Sequence, residues 1–147
     1  MTRLNFTLIG LIVSGACSSP PADTVRIAKE VEPIIKRLRD PGQEVLQRLG
    51  GNEGAMKAVV TACSSADEPL TQLSRIDFRP VTGDPLGPEV NELAGRLLDD
   101  RKAYCAVDDL GGCARWCVVS WTALVVGTER LRARALTQGV AIGSIVQ

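Results

Sequence analysis

Apolar residues recur at helical spacing through most of the chain. Val25, Ala28, Val31, Ile34, Ile35 and Leu38 fall on one face, with Arg26, Lys29, Glu30, Lys36, Arg37 and Arg39 on the other. Pro33 either kinks this helix or starts a second one, and Asp40-Pro41-Gly42 is expected to end it. Gln43 to Leu49 forms a short helical stretch stopped by Gly50-Gly51. Asn52 caps a helix from Glu53 to about Cys63, and Asp67 caps a short one carrying Leu70, Leu73 and Ile76. Phe78 to Pro88 holds Pro80, Gly83, Pro85, Gly87 and Pro88, which makes it a loop.

Pro88 or Glu89 opens a longer helix with Val90, Leu93, Ala94, Leu97, Leu98, Arg101 and Cys105 in register. The turn Asp108 to Gly112 joins it as an antiparallel hairpin to a last helix, from about Cys113 to Leu136. Trp116 to Val126 is apolar nearly all round, the pattern of a central helix, with Trp116 and Trp121 filling the core. The many β-branched residues make a buried strand the rival reading, but length and the helical pattern of Glu129 to Leu136 favour helix. The apolar tail from Gly139 either packs down or frays. No alternating strand pattern competes, so the expected fold is all-α, a small disulfide-stapled helical bundle after a cleaved N-terminal signal peptide.

The N-terminus obeys a different pattern. Arg3 precedes an apolar run from Leu4 to Val13, broken only by Asn5, Thr7 and Gly10 and followed by Ser14, Gly15 and Ala16. That is the three-part layout of a secretory signal, too short to span a bilayer as a helix. With Cys17 directly after, the segment resembles a bacterial lipoprotein signal. The resemblance implies cleavage between Ala16 and Cys17, with a thioether-linked diacylglycerol and an N-acyl chain on Cys17. Ser14 departs from the Leu usual three residues before that cysteine. Ser18, where such proteins carry Asp when held in the inner membrane, implies the periplasmic face of the outer membrane. The resemblance covers residues 1–17 only. An ordinary signal peptide and a soluble periplasmic protein are the alternative. The expected organisation is a signal peptide at 1–16, a lipidated tether at 17–23 and one helical domain at 24–147.

Seventeen basic residues balance seventeen acidic ones, which gives no reason to expect a nucleic-acid partner. There is no histidine, which removes Ser-His-Asp triads, Cys-His dyads and most metal sites. Five cysteines are an odd number for an exported chain, but lipidation of Cys17 leaves four. Cys113 and Cys117, one helical turn apart, are badly placed to bond each other. The expected pairs are Cys105–Cys113 and Cys63–Cys117, ahead of Cys105–Cys117 with Cys63–Cys113. The same four could ligate a metal, but the spacing lacks the close pairs of structural zinc sites, and no metal or cofactor is expected.

Asp99-Asp100 and Asp108-Asp109 are paired carboxylates that a hydrolase could use, but turn and helix-end roles account for them. No P-loop, GxGxxG, GxSxG or SxxK pattern occurs, so no enzyme is expected. The candidate partner contacts are Arg79 and Asp84 in the proline-rich loop, and Arg130 and Arg134 late in the last helix. These features suit a lipid-anchored, periplasm-facing binding module for a partner protein. Its architecture is similar to that of periplasmic immunity proteins, a likeness carried by no motif. A structural or assembly subunit of an envelope complex is the alternative.

Overall fold

The computed structural model describes residues 18–47, 52–83, 89–106 and 109–146. The described residues form six helices and no strand: α1 Ala22–Gln47, α2 Glu53–Ser65, α3 Asp67–Leu73, α4 Arg79–Thr82, α5 Val90–Cys105 and α6 Leu110–Thr137. The all-α expectation holds.

α1 runs straight through both prolines that were expected to interrupt it. Its buried stripe is continuous across them: Ile27, Ala28, Val31, Ile34, Ile35, Leu38, Gly42 and Val45. Pro33 sits on the exposed side, where the carbonyl it leaves without a partner can take water. Burial of the whole stripe outweighs the local cost of proline, about 3 kcal/mol or more at each site. The stretch from Gln43 thus extends α1 rather than forming a helix of its own, and Gly50-Gly51 lie outside the described residues.

Caps set the other boundaries. Asn52 accepts a hydrogen bond from the Ala55 amide at 3.0 Å and starts α2. Asp67 does not cap α3; it is the first helical residue, and Ala66 holds the cap position. Asp109 accepts from the Gly112 amide at 3.0 Å, so α6 begins at Leu110 and absorbs Gly111 and Gly112. Within the expected loop, Arg79–Thr82 makes one helical turn that buries Phe78 and Val81. Gly83 ends it at φ 58°, a left-handed conformation that favours glycine.

α5 and α6 form the expected antiparallel hairpin. α6 also packs on α2, α1 and α4, while α3 bridges α1 and α5. By length and composition alone α6 could cross a membrane. Its inner face, with Cys113, Cys117, Trp121, Leu124, Leu131 and Ala135, lies in the core. The C-terminal tail packs down: Ile142 and Ile145 are buried, Glu32 accepts from the Gly143 amide at 2.7 Å, and Arg39 Nε donates to the Ser144 carbonyl at 2.8 Å. Thr24 hydrogen-bonds Gln138, which in turn donates to the Val81 carbonyl at 3.0 Å. The start of α1 is thereby tied to the end of α6.

Candidate functional site

The four cysteines beyond residue 17 gather at one end of the α5–α6 hairpin. Cys105, the last residue of α5, is half-buried and bonded to Cys113 in the first turn of α6, with Cα atoms 4.7 Å apart. Asp109 sets this approach, because capping α6 there brings its first turn back against the end of α5. Cys117 lies one turn further along α6, and its sulfur is within 4.8 Å of both disulfide sulfurs. Cys63, near the end of α2, meets Cys117. Cys63 and Cys117 are buried free thiols joined by a hydrogen bond. The first expected disulfide is therefore formed, and the second expected pair is in contact but unbonded.

The two thiols are not equivalent. The Cys63 S–H donates to Cys117, which raises Cys63 strongly above the ordinary thiol range, with burial adding to the effect. The same bond lowers Cys117, and the Arg101 guanidinium pulls both downward. Arg101, on α5, pairs with Asp67, the first residue of α3. It is mostly buried, and its Nε and the Asp67 Oδ1 have no hydrogen-bond partner among the described residues. The thiol pair thus lies beside the Arg101 positive charge, which favours a thiolate there.

A second feature covers the outer face of α6. Trp116, Val119, Ala123 and Val126 follow a 3-4-3 spacing and are all exposed, with Val119 at 52% and Val126 at 48%. Tyr104 stacks on Trp116, with ring centroids 4.5 Å apart. The expectation of a helix buried all round, with both tryptophans in the core, is thereby corrected. Trp121 is fully buried; Trp116 is not. Five residues along a helix turn the side chain by roughly 140°, so the two cannot face the same core. That offset is written in the sequence and marks α6 as two-faced.

The residues expected to touch a partner are dispersed. Arg79 is held by Asp77, through Nε at 2.8 Å and Nη2 at 2.7 Å. Asp84 lies outside the described residues, as do Cys17 and the whole signal segment. Arg130 and Arg134 are exposed on α6, and Arg130 continues the 3-4-3 register of the apolar face by four residues. Among the paired acids, Asp100 accepts from the Ser120 hydroxyl at 3.1 Å, Asp99 is exposed, Asp109 caps α6 and Asp108 lies outside the described residues. The three described acids thus serve a hydroxyl contact, an exposed position and a helix cap rather than one shared site.

No protein family, curated protein or solved structure matches this chain.

Proposed function

We propose that this chain is a lipid-anchored, periplasm-facing binding module. In this reading its partner protein lays a helix along the exposed face of α6. The observation that carries the reading is the 3-4-3 apolar seam Trp116, Val119, Ala123, Val126, widened at one end by Tyr104. Apolar side chains in that spacing form the ridge that a second helix packs into. An aromatic pair at the end of such a seam is the kind of anchor that dominates interface energetics. Arg130 continues the register, so the matching helix carries an apolar stripe that ends in an acidic residue.

The lipid anchor rests on Arg3 to Cys17, read by resemblance to bacterial lipoprotein signals. Such an anchor would hold the module at the membrane while α6 remains free to meet its partner.

Affinity purification from envelope extracts tests the binding reading when run in parallel with native protein and with Val119→Asp. The reading predicts one protein recovered in near-equal amount by the native chain and lost with Val119→Asp. Recovery of the same proteins by both, or of none by either, would overturn it.

A further inference from the structure

We propose that the four cysteines form an internal thiol–disulfide exchange relay, in which the Cys105–Cys113 bond, half-buried at Cys105, oxidises the buried Cys63/Cys117 pair. The geometry supplies each step. Cys117 lies within 4.8 Å of both sulfurs of the Cys105–Cys113 bond and also interacts with Cys63. Of the two unbonded cysteines, it is the one grouped with the disulfide sulfurs.

In the first step the Cys117 thiolate attacks Cys105. The Cys105–Cys113 bond breaks, a Cys105–Cys117 bond forms, and Cys113 leaves as a thiolate that takes up the proton Cys117 gave away. Attack at Cys113 is disfavoured because a bond between residues four apart on one helix has poor geometry. In the second step Cys63 loses its proton and attacks Cys117. The Cys63–Cys117 bond forms and Cys105 leaves, taking up a proton. Two thiols and one disulfide enter, two thiols and one disulfide emerge, and no external oxidant is consumed.

The dithiol now sits at Cys105 and Cys113, where Cys105 is half-exposed. It can reduce an external disulfide in the ordinary way, ending as Cys105–Cys113 with two thiols released on the other molecule. The buried pair thus stores two electrons that leave through Cys105. Cys63 and Cys117 are 0% and 1% exposed and offer no direct route to such a reactant. Arg101 from α5 and Asp67 from α3 are the charged groups that act on the buried pair, and Arg101 supplies the positive charge that an attacking thiolate needs. This inference is independent of the docking face on α6.

Oxidised glutathione is the probe. The native protein, with one disulfide and two thiols, is incubated with it and the linkages are mapped by acid quench, alkylation and peptide mass spectrometry. The relay predicts a Cys63–Cys117 linkage and two reduced glutathiones released per chain. In Cys105→Ser/Cys113→Ser the buried pair should oxidise at least about tenfold more slowly. Equal rates in the two proteins would overturn the relay. A second measurement needs no variant: native protein held anaerobically without oxidant should yield a fraction of chains with Cys63–Cys117 bonded and Cys105 and Cys113 free. Finding Cys105–Cys113 alone at every time point would overturn it. So would stoichiometric zinc on the fully reduced protein with all four thiols shielded from alkylation, which would assign the cluster to metal binding.

Discussion

Gly42 of α1 lies directly against the indole of Trp121 on α6. A Cβ at position 42 would stand 2.8 Å from Trp121 Nε1 and 2.9 Å from Ile145 Cγ2. Both neighbours are fully buried, so neither can give way easily. Gly42→Ala is therefore expected to destabilise the fold by about 1–3 kcal/mol through overpacking, although alanine is the better helix former. Gly95, inside α5, has nothing within 4 Å of its own Cβ position. There the same substitution should stabilise by about 0.4–1 kcal/mol. Urea denaturation of the two variants checks both signs at once.

The C-terminal tail is held by the same contact. Ile145 is fully buried, and the neighbouring Ser144 is fixed by Arg39 and Glu129. Ile145→Ala should cost about 2–5 kcal/mol, as for other core truncations. A loss below about 0.5 kcal/mol in thermal or urea unfolding would show that the tail frays in solution.

Asp77 and Arg79 form a local clamp at the head of α4. Hydrogen bonds from the Arg79 guanidinium and backbone amide to the Asp77 carboxylate lower its pKa to about 2, from an ordinary 3.8. A carboxylate depressed in the folded state adds stability above its unfolded pKa. That contribution fades as pH falls from about 4 through about 2. The pair is exposed, so the effect on global stability should be small. Carboxyl carbon shifts followed by NMR should place the Asp77 midpoint near 2 and return it toward 3.8 in Arg79→Ala.

The buried thiols give a pH dependence of opposite sense. Cys63 is raised by its bond to Cys117 and by burial, so above the ordinary thiol range the unfolded chain releases a proton that the folded chain keeps. Stability therefore falls as pH rises past about 9, whereas Cys117, which is lowered, adds a gain that builds below that pH and is complete there. Arg101 lowers both thiols, with Asp67 acting against it. Arg101→Gln should therefore move the first thiolate absorbance step to higher pH. An unchanged step would mean that Arg101 acts only as a partner for Asp67.

The helices were legible in the sequence because their apolar stripes repeat at helical spacing, and Asn52 announced its cap. Pro33 and Pro41 misled because local proline rules weigh less than a buried stripe running from Ile27 to Val45. The pairing of Cys105 with Cys113 could be read from a short Asp-Gly-rich turn between two helices. The contact of Cys63 with Cys117 was expected from the remaining cysteines, but their free state and the approach of Cys117 to the disulfide depend on tertiary packing. The exposed seam on α6 was hidden by composition, since a run apolar on every side looks wholly buried. The Arg101–Asp67 pair joins residues far apart in the chain, and spacing gave no signal for it.

The two tryptophans of α6 separate folding from recognition. Trp121 is fully buried against Gly42, and Trp121→Ala should cost about 3–5 kcal/mol. Trp116 is 36% exposed and stacks on the exposed Tyr104, an arrangement worth about 0.5–1.5 kcal/mol beyond area burial. Trp116→Ala should therefore leave a stably folded protein whose near-ultraviolet circular dichroism loses the Tyr–Trp contribution. If α6 receives a partner helix, that same variant should weaken association tenfold or more, about 1.4 kcal/mol or greater. Val126→Asp, lower on the seam, should act in the same direction without touching the aromatic pair. A Trp116→Ala protein that unfolds as readily as Trp121→Ala would place Trp116 in the core and remove the seam. One that folds and binds as the native chain does would leave the seam intact and show that the partner does not use it.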